Sequence, residues 1–334
     1  MNARRNALNG LTSTTAHAGL WLDRYLRAQT VAGTEDGVGA KAALIEEACG
    51  MSPSPDYAVA FARRKRIFDE SGAHVAVARA RDRVVIGLGA GGVLETGIHL
   101  EHTWGVPVLP GSALKGIAAA AAHRLAEDAS WHRGGDSFRH LFGTTDDRAA
   151  VIFHDAWAVP GAPRPMLEPD VMTVHHAAYY GGKDVPPADT DSPTPIAFVT
   201  ATGSFLVAVE GDPDWCDAAL LLLRQGLAEL GIGAKTTSGY GRLSLDYQSA
   251  EERRAEAERR EHVEATRARE AAERLKPNNA AHQVAQELRS LSGAARTLYA
   301  RAAIKKLTRS WLEQRREVPW VRELFEAAGE PIAK

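Results

Sequence analysis

The chain has 334 residues, of which 45% are hydrophobic and 25% charged, and its formal net charge is −2. This is an ordinary composition for a globular protein that buries a sizeable core. No apolar run approaches the roughly 18 residues of a membrane span, and no apolar segment follows Arg4 and Arg5 as in a secretory signal. We therefore expect a cytoplasmic protein.

The two cysteines argue against a structural zinc site, and the distribution of charge leaves RNA binding possible. Cys49 and Cys216 lie far apart, without a Cys-x-x-Cys motif or a histidine at ligand spacing, so we predict two buried thiols and no structural zinc. Residues 251–334 carry a net charge of +4 and residues 1–250 a net charge of −6. Phosphate binding depends on local clusters, so this balance does not exclude RNA.

The first third of the chain is predicted to be helical and then to enter a sheet. Residues 17–27 and 57–68 have apolar side chains at helical spacing, so we expect residues 1–72 to form a helical section packed on the main domain. Residues 73–86 predict a first strand, which runs into a glycine-rich turn at residues 87–92.

Two helices and a strand follow this turn. Ser112 is predicted to be the N-cap of a helix over residues 113–126. A short helix over residues 137–142 is expected to stop at Gly143, and residues 150–159 predict a second strand.

The next segments complete an α+β domain over residues 73–250. Residues 160–195 are rich in proline and glycine and predict a long functional or disordered connection. A strand over residues 204–210, a helix to Leu230 and a last strand over residues 241–247 then give the order β-α-β-β-α-β. This is the order of a ferredoxin-like (RRM-like) domain, a sheet often used for RNA recognition.

A glycine-rich loop precedes the last strand and suggests a phosphate-binding role. Glycines let the backbone approach a ligand closely, while hydroxyl and cationic side chains supply further donors. The spacing fits neither a P-loop nor a Rossmann turn, and an ordinary helix-to-strand turn is the alternative. The candidate RNA-binding residues of this loop are Gly231, Gly233, Lys235, Thr236, Thr237, Ser238, Gly239, Tyr240 and Arg242.

Three motifs occur in an order that resembles the RAMP superfamily of CRISPR RNA-binding proteins. They are residues 105–116 (GVPVLPGSALKG), 141–143 (LFG) and 231–242 (GIGAKTTSGYGR). Residues 17–26, 94–98 and 169–173 make the chain similar to the sixth-subunit family of the type III-B, or Cmr, effector complex. The resemblance covers roughly residues 15–247 and leaves residues 251–334 unexplained.

The resemblance implies a non-catalytic subunit of a CRISPR ribonucleoprotein in antiviral defence. Such a subunit grips the guide RNA backbone near its 3′ end, contacts target RNA and caps a stack of related RAMP subunits; no cofactor, membrane or small-molecule substrate is implied. The family also binds RNA at the start of the first helix, so Ser112 and Lys115 join the expected contacts. Family members more often have two serines where this chain has Ser112 and Ala113, which removes one hydroxyl.

The resemblance also assigns a role to residues 160–195, at the position of a thumb-like insertion directed at the guide–target duplex. The expected duplex contacts are His175, His176, Tyr179 and Tyr180. Packing of the tyrosines onto the domain is the alternative to base stacking. The adjacent histidines lack a third partner for a metal, so we predict no metal site.

A competing hypothesis is that the chain is itself a RAMP endoribonuclease that cuts guide precursor or target RNA. His99 and His102 lie between the first strand and the first helix, where a general base is expected, and metal-dependent cleavage would use Glu95 or Glu101. Glu95 equally fits a turn cap within the guide-holding pattern.

The C-terminal region, residues 251–334, predicts a charged helix followed by a small helical module. Residues 251–275 read as a solvated helix of Glu, Arg and Ala, and an apolar face returns over residues 281–325. The face consists of Val284, Leu288, Leu291, Leu298, Ile304, Leu307, Trp311, Leu312, Trp320, Leu324 and Phe325. A pure assembly role is a third possibility, in which this region bridges subunits. Arg301, Lys305, Lys306 and Arg309 could contact RNA, or form a solvated face.

Overall fold

The computed structural model describes residues 17–26, 35–92, 94–162, 164–174, 176–182, 184–189, 191, 193–275 and 279–332. The chain divides into two compact units, Met1–Ala250 and Glu251–Lys334, which are described separately. In the described part of the chain, no helix is both long and apolar enough to cross a membrane.

Among the residues that the structure describes, three helices precede the sheet: α1 (Ala18–Arg24), α2 (Glu35–Cys49) and α3 (Asp56–Ser71). Helix α3 ends at Gly72, whose positive φ of 76° suits a left-handed C-cap. Its buried aromatic face packs on the sheet through Tyr57, which also donates a hydrogen bond to the carbonyl of Ala158. We did not predict α2, whose two glycines lower its intrinsic helix propensity; burial of Leu44 and Ile45 against α1 compensates.

The main sheet has six strands: β1 (His74–Ala80), β2 (Val108–Leu109), β3 (Val151–Phe153), β4 (Ala156–Ala158), β7 (Ser204–Gly211) and β8 (Leu243–Asp246). Its order is β2-β4-β7-β1-β8, with β3 also paired to β7, and all of these pairs are antiparallel. The register places His74 opposite Val209 and Ala80 opposite Leu243.

Two long helices, α4 (Gly111–Leu125) and α7 (Pro213–Glu229), bury their apolar sides in the core of this sheet. They approach closely at Gly226, where an added Cβ would lie 2.8 Å from the carbonyl oxygen of Ile117. Asp212 caps α7 by accepting the backbone N–H groups of Asp214 and Trp215. The short helix α5 (Asp136–Phe142) ends at Gly143, as predicted.

Two strand predictions need correction. The first strand ends at Ala80 and not at residue 86; beyond it, Val84 forms only an isolated bridge with Ala201. The predicted second strand is divided into β3 and β4 by His154 and Asp155. The interruption frees the Asp155 side chain to bind the start of α4.

Residues 160–195, which were predicted to be a long functional or disordered connection, contain regular structure. Strands β5 (Leu167–Val174) and β6 (Thr194–Ala201) form a two-stranded antiparallel sheet, and the short helix α6 (Ala177–Tyr180) lies between them. Both strands contain a proline, which a two-stranded sheet accommodates because each strand has an unpaired edge.

In its described residues, 251–275 and 279–332, the regular structure of the second unit is helical. After the charged α8 (Ala250–Leu275), helices α9 (Asn279–Ser290), α10 (Gly293–Lys306), α11 (Arg309–Glu313) and α12 (Pro319–Ala328) follow. Their shared core includes Leu288, Leu312, Leu324 and Phe325. Leu298 is the exception to the predicted apolar face, because its side chain is 74% exposed.

Candidate nucleic-acid interface

The glycine-rich loop, residues 231–242, lies on the extended segment that follows β1. The Ala234 N–H donates to the carbonyl of Val85 at 2.7 Å, and the Gly241 N–H donates to that of Arg83 at 2.8 Å. These two bonds fix the loop on residues 83–86.

The other carbonyls of this segment point to different partners. Val84 accepts from the N–H of Ala201, and Ile86 accepts from that of His99, each at 2.8 Å. Residues 83–86 are therefore held between the loop on one side and, on the other, β6 and the connection that leads from β1 to β2.

Close approach to this segment requires glycine. At Gly233, where φ is 88°, an added Cβ would lie 2.2 Å from the carbonyl oxygen of Val85. At Gly241, where φ is 75°, it would lie 2.0 Å from that of Ile232. No side chain fits at these distances, and positive φ independently favours glycine.

Part of the loop keeps its backbone donors free. A single 3₁₀ turn, Thr236–Ser238, follows Lys235, which has a left-handed φ of 59°. Within the described residues, the N–H groups of Gly233, Lys235, Thr236 and Thr237 have no hydrogen-bond partner. Of these four residues, Gly233 and Thr237 are exposed and Lys235 and Thr236 are partly exposed, so this turn presents backbone donors of the kind that bind anions.

Tyr240 does not offer a free hydroxyl. It donates to Oδ2 of Asp170 in β5 at 2.7 Å, and Nη1 of Arg83 donates to the same oxygen at 2.7 Å. Nε of Arg83 also donates to Oε2 of Glu168 at 3.2 Å. We call Tyr240, Asp170, Arg83 and Glu168 the loop–hairpin network, because it ties the glycine-rich loop to the β5–β6 pair.

The hydrogen bonds of this network favour the ionised form of the Asp170 carboxyl group. Burial alone would raise the pKa of Asp170, but hydrogen bonds from Tyr240 and Arg83 outweigh it and hold the pKa below its usual range. Burial and the hydrogen bond to Asp170 raise the pKa of Tyr240, so its hydroxyl remains a donor.

Arg242, the second predicted cation of the loop, is half-buried. Its Nη1 atom is buried and has no hydrogen-bond partner among the described residues. Its carbonyl accepts from the N–H of Arg81 at 2.9 Å. Lys235 is partly exposed, so of these two cations it is the better placed to meet a phosphate.

The start of α4 differs from the prediction. Pro110 is at the N-cap, Ser112 is an exposed residue inside the first turn, and no side chain caps the helix from within that turn. The carboxylate of Asp155 accepts the Gly111 N–H at 2.7 Å and so occupies part of the predicted phosphate site. Lys115 is partly exposed on the second turn.

These two predicted RNA-binding elements do not form one cradle. The start of α4 rests on the β3–β4 interruption, whereas the loop lies at the β8 side of β1. Strands β4 and β8 are three strand spacings apart in the sheet, about 14 Å at the usual interstrand distance. A ligand reaching both must therefore be extended.

The predicted duplex contacts lie at the tip of the β5–β6 pair. Tyr179 and Tyr180 are 52% and 74% exposed, so they are not packed onto the domain. Nδ1 of His176 lies 2.9 Å from Oδ2 of Asp191. This hydrogen bond connects the two ends of the tip and engages that nitrogen. His175 lies outside the described residues.

The residues of the nuclease hypothesis are mostly engaged in structural contacts. Glu95 pairs with Lys41 at 2.8 Å, and Glu101 accepts the backbone N–H groups of Thr103 and Trp104 at 2.9 Å each. The side chains of His99 and His102 are exposed and line one cavity. In the part of the chain that the structure describes, no group of three His, Cys, Asp or Glu side chains could hold a metal.

Sequence reasoning missed Arg83, Asp155, Glu168 and Asp170 as determinants of this interface. Asp170 is 70 residues from Tyr240, and Asp155 is 44 residues from Gly111. No local pattern marks either pair. The PDVMT motif, residues 169–173, supported the resemblance to the family, but it did not indicate that Asp170 contacts Tyr240.

Comparison with known proteins bears on the same region. A family model described as the RAMP superfamily matches residues 78–244, half of the chain. The CRISPR system Cmr subunit Cmr6 of Pyrococcus furiosus is 31% identical over 224 aligned residues, which cover 49% of this chain and 66% of the relative. The match thus spans slightly less than two thirds of that relative's length.

Solved structures are also similar. One chain of the cryo-EM structure of the type III-B Cmr-beta bound to cognate target RNA matches with a TM-score of 0.50 at 18% identity, over 66% of this chain and 77% of that chain. This likeness concerns the fold. The crystal structure of Cmr6 from Pyrococcus furiosus is 31% identical, with a TM-score of 0.35, over 52% of this chain and 98% of that chain.

Proposed function

This chain belongs to the RAMP superfamily, and from that premise we propose that it is a non-catalytic RNA-binding subunit of a type III-B CRISPR effector. In this role it grips the guide RNA backbone near the 3′ end and caps the stacked backbone subunits in antiviral defence. The resemblance to Cmr6 supports the proposal. Its partners would be guide RNA, target RNA and other RAMP subunits.

We also propose a ferredoxin-like core with a thumb-like insertion. When β3 and β4 are counted as one strand, the four principal strands lie in the order fourth, first, third, second. The two long helices follow the first and third of these strands in the chain. The β5–β6 pair with its aromatic tip is the proposed thumb.

One observation carries the RNA-binding role: the unpaired backbone donors of Gly233, Lys235, Thr236 and Thr237 at an exposed turn. Backbone donors recognise phosphate without reading bases, and Lys235 adds a full positive charge. A subunit that holds guides of any sequence needs such recognition.

The test is substitution of Lys235 by Ala. We expect weaker binding of unstructured single-stranded RNA by a similar factor for every sequence, with the salt slope reduced by about 0.7 for one lost phosphate contact. Arg63→Ala is the matched control, because it removes one exposed cation on α3. Equal affinity of the Lys235 and Arg63 variants at low salt would show that the loop has only a structural role.

For the tip, we expect Tyr179→Ala and Tyr180→Ala to weaken binding of a guide–target duplex while leaving folding unchanged, since both side chains are exposed. Loss of one base-stacking contact is worth about 1–3 kcal/mol. Fluorescence anisotropy with duplex and with guide strand alone checks this. An unfolding transition shifted by either variant would indicate packing instead.

The endoribonuclease hypothesis is kept as a second candidate because His99 and His102 line one cavity. Labelled guide precursor and guide–target duplex, incubated with and without divalent metal, should be bound but remain uncut. Cleavage that disappears in His102→Ala would replace the proposed function with general acid–base catalysis.

A further inference from the structure

A cavity of about 420 Å³ lies between α1 and the connection from β1 to β2. One wall comes from residues 17–24 and another from residues 90–92 and 94–102, and Val199 of β6 contributes to the lining. Its volume falls within the range of about 300–1,000 Å³ that is usual for small-ligand sites. The guide-binding loop described above does not line it.

The walls of this cavity are held in place by backbone hydrogen bonds. The Gly97 N–H donates to the carbonyl of Leu88 at 2.9 Å, which closes the connection on itself. Nδ1 of His17 accepts the Leu20 N–H at 3.0 Å, so Nε2 carries the proton and donates to the carbonyl of His102 at 2.8 Å. This last bond joins the two walls, and the cavity is therefore preformed.

The lining combines an apolar surface with a polar rim. Leu20 is 51% exposed at the cavity although it is a large apolar residue, and Ile98 and Val199 extend this surface. Arg24, His99, His102 and Asp23 are exposed at the rim, and Arg24 makes no ion pair within the described residues. The lining also includes Glu101, whose carboxylate accepts the N–H groups of Thr103 and Trp104. A flat ring suits the apolar surface, and Arg24 is the cation that a nearby anionic group can reach.

The cavity adjoins the glycine-rich loop through two consecutive residues. Val85 accepts a hydrogen bond from Ala234 of the loop, and Ile86 accepts one from His99 of the cavity wall. The loop and the cavity wall are thus fixed on adjacent residues of one segment. This proximity favours a nucleotide of an RNA strand bound at the loop over a free metabolite.

We propose that this cavity binds one unpaired nucleotide of the RNA that the glycine-rich loop holds. The base contacts Leu20 and Ile98, and a neighbouring phosphate contacts Arg24. The inference rests on the proposed function, because it requires RNA on the loop.

The experiment uses the full chain and a series of single-stranded RNAs in which 2-aminopurine occupies successive positions. We expect a fluorescence change at one position only. Leu20→Glu and Arg24→Ala should abolish it and weaken binding about five- to tenfold, in line with the loss of one base contact. Matched controls are Val59→Glu and Arg63→Ala, which make the same changes at exposed positions on α3.

The outcomes separate this inference from the function it rests on. If Leu20→Glu behaves like Val59→Glu while Lys235→Ala weakens binding, the cavity inference is wrong and the proposed function stands. If the wild-type chain binds none of the RNAs, both are wrong. A third outcome is that 2-aminopurine riboside monophosphate binds, that Leu20→Glu abolishes this binding, and that no RNA gives a position-specific signal. The cavity would then be a site for free nucleotides, and the inference would be wrong.

Discussion

At the scale of single residues, this interface depends on glycines that have no room for a side chain. Gly233 and Gly239 both have positive φ, yet only Gly233 approaches another backbone segment, at Val85. Their comparison separates the conformational cost of losing glycine from the cost of a steric clash.

We predict that Gly239→Ala destabilises the fold by about 1–2 kcal/mol, the cost of a left-handed conformation, and barely changes RNA affinity. Gly233→Ala should cost a further 1–3 kcal/mol or so from overpacking and should weaken RNA binding, because the loop must leave Val85. Urea unfolding and anisotropy measure both. Indistinguishable variants would contradict the close approach.

Asp170 gives a prediction for pH. Its folded-state pKa is depressed, so its ionised form stabilises the fold above the unfolded-state pKa of about 3.9, and this contribution is lost as pH falls through the lower folded-state value. The stability difference between wild type and Asp170→Asn should therefore be largest near neutral pH and shrink in acid. A difference independent of pH would exclude the ion-pair explanation.

At the scale of elements, the sequence predicted those helices and strands whose signals are local. Helix α5 was predicted together with its end at Gly143, and α7 with its end at Leu230, which is the C-cap. The β5–β6 pair was missed because Pro169 and Pro195 argue against strands, and their pairing partners, Val199 and Thr173, lie 30 and 22 residues away in the sequence. The glycine-rich loop was recognisable, but its tether at Asp170 comes from another element.

The start of α4 supplies a prediction at this scale. Asp155→Ala removes an acceptor for Gly111 and should lower the free energy of unfolding by about 1 kcal/mol. Asp155→Asn keeps an acceptor oxygen and should cost less. It should also strengthen RNA binding at low salt, since a negative charge leaves the positive end of the helix. Weaker RNA binding by the Asp155→Asn variant would show that the start of α4 does not bind RNA phosphate.

At the scale of the whole molecule, each of the two units contains buried apolar clusters of its own. Phe205 is fully buried in the sheet unit and Phe325 in the helical unit. The family model matches residues 78–244, so the helical unit lies outside that match.

We expect calorimetry of the full chain to show two transitions. Truncation of a buried phenylalanine costs about 3–5 kcal/mol, so Phe325→Ala should lower one transition and Phe205→Ala the other. A shift of both transitions by either variant would show that the units unfold together.

The backbone carbonyls of residues 83–86 point alternately to two sides of the segment, and this restricts the insertions and deletions that the segment can accept. Odd-numbered carbonyls there accept from the glycine-rich loop, while even-numbered ones accept from β6 and the cavity wall. Insertion of one residue within this segment would turn the following carbonyls to the opposite side, so that both sets of N–H donors would face the wrong carbonyls. Insertion of two residues would return each carbonyl to its original side. Among relatives, length differences at this point should therefore come in even steps.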